Sequence, residues 1–131
     1  MIDIDSIKPE IQGLAEKHGL DSVVLFGSQA TGRTHSKSDI DIAVLSRRPI
    51  NRSRIAMDLD EIFERDDVEV VDLSEASPTL MRSVVGDGKL LYENELGTFF
   101  RWKLYAIKIW METAWLRKLA NRKARELAQA F

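Results

Sequence analysis

The chain has 131 residues, 44% of them apolar and 31% charged, and no cysteine. That is chain enough for one domain with a core of its own, and it excludes disordered, fibrous, disulfide-stapled and thiolate-metal classes. The net charge of −2 hides an asymmetry: residues 1–96 carry 11 Lys and Arg against 19 Asp and Glu, while residues 97–131 carry 8 against 2.

In chain order, Ile7, Ile11, Leu14 and Ala15 recur at helical spacing behind an Asp5 or Ser6 cap, which predicts a helix over 5–18 ended by Gly19. The apolar run SVVLF, residues 22–26, predicts a buried strand stopped by Gly27. DIDIAVL, residues 39–45, alternates at its start and predicts a second strand. A helix from about Arg52 to Arg65 presents Ile55, Leu59, Ile62 and Phe63 on one face. VEVVDL, residues 68–73, reads as a third strand. Ser77 then caps a helix with Pro78 at its first position and Gly86 near its stop. KLLYE, residues 89–93, reads as a short edge strand, and one long helix is expected from Leu96 nearly to the end. The expected fold class is α/β (α+β): a small mixed sheet of three to four strands with helices packed on one side. The expected domain is a single unit over 1–131, with 97–131 a C-terminal helix for packing or partner binding.

The stretch FGSQATGRT, residues 26–34, spaces Gly27, Gly32, Arg33 and Thr34 like a phosphate-binding P-loop, with Arg in place of Lys. A P-loop needs a helix of several turns after that point. Only HSKS separates Thr34 from the strand at Asp39, so the P-loop is rejected. The same residues suit a strand, a tight Gly-Ser turn and a second strand carrying acids. Gly27 has no Cβ to keep a phosphate from the backbone, and Ser28 offers a hydroxyl and an N–H. Because strand side chains alternate, Asp39 and Asp41 share one face, their α-carbons about 6.6 Å apart. Two like charges on one strand face call for a cation, and oxygen ligands suit Mg²⁺ or Mn²⁺ with substrate phosphates. A third acid is expected on the neighbouring strand. Val68 and Val70 read as core on the face of Asp72, which favours Glu69.

The spacing of Gly27, Ser28, ten residues, Asp39 and Asp41 resembles the signature G-S-x10-D-x-D of the polymerase-β-like nucleotidyltransferase superfamily, in its minimal branch. The resemblance covers about residues 20–91, and Glu69 stands where that family more often has Asp. It implies that Gly27 and Ser28 hold the triphosphate of ATP. It also implies that Asp39, Asp41 and Glu69 bind two Mg²⁺ ions, with Glu69 helping to deprotonate an attacking hydroxyl. Minimal members resemble the antitoxin half of a pair whose toxin is a HEPN-type ribonuclease, and AMP would pass to a tyrosine of that partner. Two alternatives stay open: an antitoxin that neutralises by contact alone, and an enzyme modifying a small molecule such as an aminoglycoside.

Arg33 and Lys37 are candidate phosphate or acceptor contacts, whereas His18 and His35 read as surface residues. In FFRWKLYAIKIWMETAWLRKLA, residues 99–120, the charges Arg101, Lys108 and Glu112 share a narrow arc and apolar residues fill most of the rest. A homo- or hetero-oligomeric interface through this helix is expected. Its charges argue against a membrane span, and direct nucleic-acid binding is not expected. The opening MIDIDSIKPE has neither a basic nor an apolar export signature, so a cytoplasmic location is expected.

Overall fold

The computed structural model describes residues 3–27 and 40–130. Helix α1 spans Ile4–His18, β1 Ser22–Phe26, β2 Ile40–Leu45, α2 Arg52–Phe63, β3 Val68–Asp72, α3 Pro78–Asp87, β4 Lys89–Glu93, α4 Thr98–Glu112 and α5 Ala114–Ala130. The four strands form one sheet in the order β3-β2-β1-β4. Strand β1 runs antiparallel to both β2 and β4, and β2 pairs with β3 in parallel. Mixed pairing of this kind follows from the connections, since a parallel neighbour needs a crossover and α2 supplies it.

Local chemistry sets the ends. Gly19 closes α1 at φ 66°, a left-handed conformation that costs glycine little, and its N–H caps carbonyls of the last turn. Asn51 accepts from the Arg54 N–H at the start of α2, and Ser77 does the same for Leu80 at the start of α3, with Pro78 following it. Helix α4 begins at Gly97 without a cap of its own; the Glu93 carboxylate reaches across from β4 to accept from the Gly97 and Phe99 N–H groups. An anion placed there also meets the positive end of the helix dipole.

Helices cover both faces of the sheet, not one. On the first face Ile40, Ile42 and Val44 of β2 and Val68 and Val70 of β3 pack with Ile11, Leu14, Ile55 and Leu59 of α1 and α2. On the second, Val24, Phe26 and Ala43 meet Met81 and Val84 of α3 and Phe99, Trp102 and Ala106 of α4. The reason lies in β1, where all five residues are buried: a strand apolar at every position from Val23 to Phe26 must be covered from both sides.

The long C-terminal helix expected from the sequence is two helices. Thr113 interrupts it, with its hydroxyl donating to the Ile109 carbonyl at 2.7 Å. The Arg117 guanidinium then folds back to donate to Thr113 Oγ1 and to the Trp110 carbonyl, each at 2.7 Å, and stacks on the Trp110 ring 3.3 Å from its centroid. A carbonyl released by the break thus regains a donor. Beyond this junction α5 buries none of its residues. Among the described residues, no helix is long and apolar enough to cross a membrane.

Candidate active site

The site grows from the junction of α2 and β3. Glu64 ends α2 in the left-handed region at φ 54°, the Arg65 guanidinium clasps the Asp67 carboxylate, and the Val68 N–H donates to Asp60 Oδ1 at 3.2 Å. This tight return fixes where β3 begins against β2. The parallel register that results sets Ile40 beside Val68, Asp41 beside Glu69 and Ile42 beside Val70. Residues directly paired across two strands point to the same face, so Asp41 and Glu69 lie side by side, their backbones about 4.8 Å apart. Neighbouring Val68 and Val70 are buried on the opposite face with α1 and α2, while Glu69 is exposed and Asp41 half-buried.

On its other side Asp41 pairs with Phe26, the last residue of β1. Gly27 follows at φ 77°, and a Cβ built there would stand 2.5 Å from Asp41 Oδ2. A Cβ at that distance would force the carboxylate to move, so its absence is what lets the Asp41 carboxylate settle against the turn. Gly27 is needed on two counts, its left-handed backbone and this close approach.

Asp72, the other acid of β3, is committed elsewhere. Its carboxylate accepts from the N–H of Ser74 at 2.9 Å and from its hydroxyl at 2.7 Å, capping the short turn over Leu73–Glu75 that follows the strand. His18 is part-buried rather than a free surface residue: it shares the Asp58 carboxylate with Lys17, at 2.7 and 3.0 Å, tying α1 to α2 on the face away from Asp41. Hydrogen bonds from His18 and then Lys17 hold the Asp58 carboxyl below its usual range. Ser28, Asp39, Arg33, His35 and Lys37 lie outside the described residues.

A divalent cation suits the donor set. Asp41 and Glu69 bring two carboxylates to one face with a glycine at their margin, all-oxygen chemistry of the kind Mg²⁺ takes alongside phosphate oxygens. The sequence had indicated the face of each acid and favoured Glu69 as the neighbour of Asp41; the register that pairs them it had not.

Comparison with known proteins identifies the family. The profile of the family described as polymerase beta, nucleotidyltransferase matches residues 9–96. The protein adenylyltransferase MntA of Shewanella oneidensis is 39% identical over 92 residues, which cover 68% of this chain and 63% of that protein. The protein adenylyltransferase MntA of Aphanizomenon flos-aquae is 37% identical over 86 residues, 56% of this chain and 57% of its own. The chain thus spans about three fifths of the length of these relatives. Among solved structures, a toxin-antitoxin crystal structure with AMP-PNP superposes with a TM-score of 0.78 at 28% identity, over 90% of this chain and 98% of that one. A complex of a tri-AMPylated Shewanella oneidensis HEPN toxin with its MNT antitoxin gives a TM-score of 0.73 at 26% identity, over 93% and 98%. With all four strands and helices α2 and α3 inside the matched span, the chain belongs to the polymerase-β nucleotidyltransferase family.

Proposed function

We propose that the protein transfers AMP from ATP to a hydroxyl of a partner protein, a tyrosine of a HEPN-type toxin, and thereby acts as its antitoxin. The observation that carries this reading is the register that sets Asp41 beside Glu69, with Gly27 against the Asp41 carboxylate. The relatives that share the sequence are named protein adenylyltransferases, and structures that share the fold are of toxin-antitoxin pairs, one bearing AMP on the toxin.

Asp39, Asp41 and Glu69 would hold two Mg²⁺ ions, which when bound would offset charge on the oxygens that enter and leave phosphorus. Gly27 and Ser28 would seat the triphosphate, the first by letting it approach the backbone and the second through its hydroxyl. Glu69, exposed beside Asp41, would accept the proton of an incoming hydroxyl. Phosphoryl-type transfer asks a protein chiefly for positioning, and two rigid neighbouring strands supply it. Consumption of ATP and the absence of cysteine both fit a cytoplasmic setting.

A second reading, neutralisation by contact without transfer, draws support from α5, which leaves Leu116, Leu119 and Leu127 exposed for a partner. One experiment separates the two. The protein is incubated with ATP, Mg²⁺ and its helical toxin partner, and the intact masses of both chains are measured, with Asp41→Asn as control. A gain of AMP on the partner that is absent with Asp41→Asn supports transfer. An unchanged partner mass in a stable complex overturns transfer in favour of contact.

A further inference from the structure

We infer that the outward face of α4 is a self-pairing seam, by which two copies of this chain associate antiparallel about a twofold axis. The argument starts from helical arithmetic. Phe100, Leu104, Ile107 and Met111 are spaced by four, three and four residues and fall within about 60° of arc at 100° per residue. All four are exposed, by 59%, 53%, 44% and 70%. They are not the residues that bind α4 to its own body: Phe99, Trp102 and Ala106, which do that, lie on a different side of the helix and are buried. The helix therefore carries two apolar faces, of which the fold uses one. Spacing that alternates three and four is that of a seam between two helices.

Self-pairing is favoured over a foreign occupant by the way the stripe complements itself. In an antiparallel pair centred between Tyr105 and Ala106, Phe100 of one copy lies opposite Met111 of the other, and Leu104 opposite Ile107. Each large ring meets a flexible thioether, and each branched aliphatic meets another. The flanks agree in charge as well. Arg101, Lys108 and Glu112 lie along one edge of the stripe, and the twofold axis keeps that edge on the same side in both copies. Glu112 then falls about 3 Å along the axis from the Arg101 of the other copy, two residues of rise. Within one copy Arg101 makes only exposed contacts, 3.9 Å to Glu95 and a 3.4 Å hydrogen bond to Thr98 Oγ1, and Glu112 lies 3.8 Å from Lys108. Both are free to turn toward the second copy. The same surface on both partners meeting itself is the usual construction of a symmetric dimer.

The stripe spans about 16 Å, too short to hold two free helices together; here α4 is already fixed to its body, so pairing need not order it. The interface is small, and association is expected to depend on concentration.

Sedimentation velocity on the full chain over a concentration series tests this without reference to activity. The expected result is a monomer-dimer equilibrium, converted to monomer at every concentration by Leu104→Glu with Ile107→Glu, while circular dichroism stays unchanged because both positions are exposed. Arg101→Glu should weaken the dimer about two- to fivefold, the scale of an exposed ion pair, and Arg101→Glu with Glu112→Arg should restore it. A wild-type chain that stays monomeric throughout overturns the inference. So does a dimer indifferent to Leu104→Glu, or a monomer whose stripe variants lose only the binding of the toxin partner.

Discussion

The two faces of the sheet are built from the same strands and used differently. On the first, α1 and α2 close over Ile40, Ile42 and Val44 of β2 and Val68 and Val70 of β3. On the second, α3 and α4 cover Val24, Phe26 and Ala43 but leave Glu69 exposed and Asp41 half-buried. A single residue of alternation separates the two environments, since Ile40 and Ile42 flank Asp41, and Val68 and Val70 flank Glu69. Burial on one face holds the strands still; incomplete cover on the other leaves the carboxylates open to solvent in whole or in part. Rigidity and access are thus supplied by opposite sides of the same two strands.

Four substitutions would break or sharpen this contrast. The largest effect on stability is expected from Ile55→Ala on the closed face, about 2–5 kcal/mol by denaturant unfolding, because Ile55 is fully buried against both α1 and the sheet. Asp41→Asn on the open face should do the reverse. AMP transfer should fall about 10²–10³-fold while unfolding shifts by less than about 0.5 kcal/mol. If the two effects were exchanged, the division of labour between the faces would be wrong.

Gly27→Ala should land between them, losing about 1–2 kcal/mol to the left-handed backbone and reducing transfer by pushing the Asp41 carboxylate aside. The smallest effect is expected from Asp58→Asn, at about 1 kcal/mol or less. Its sign with pH is fixed by the lowered carboxyl value: the contribution is fully present above the unfolded value of 3.8 and is lost as pH falls through the lower folded value. Wild type and Asp58→Asn should therefore converge in stability below that range in a series of unfolding curves taken at different pH, and transfer by the two proteins should match at neutral pH.

Much of this architecture was legible in the sequence, because its signals are local. The strand SVVLF ends where Gly27 stops it, and α3 starts where Ser77 and Pro78 start it. The choice of Glu69 over Asp72 followed from alternation against Val68 and Val70, and Asp72 is occupied as a cap. Three features were not legible. Periodicity shows that a helix has an apolar side but not which surface receives it, so cover on the second face went unread. The break at Thr113 carries no Gly or Pro; it is stabilised by Arg117 reaching back seven residues to the Trp110 carbonyl, a tertiary arrangement without a sequence signal. The register of β2 on β3 depends on how tightly the chain returns through Arg65 and Asp67, and no pattern within either strand records it.

The parallel pairing of β2 with β3 also bears on when a newly made chain could begin to work. Strand β1 can zip to β2 as a neighbour in sequence, but Glu69 reaches Asp41 only after α2 has formed, crossed over and delivered β3 to the edge of the sheet. Pairings between distant segments of this sort are slow to close. A nascent chain in which β3 had not yet docked would hold Asp41 and the Gly27 turn but lack Glu69, so the proposed site would be incomplete. If the chain serves as the antitoxin proposed above, the time to that closure would set a lower bound on the delay before protection.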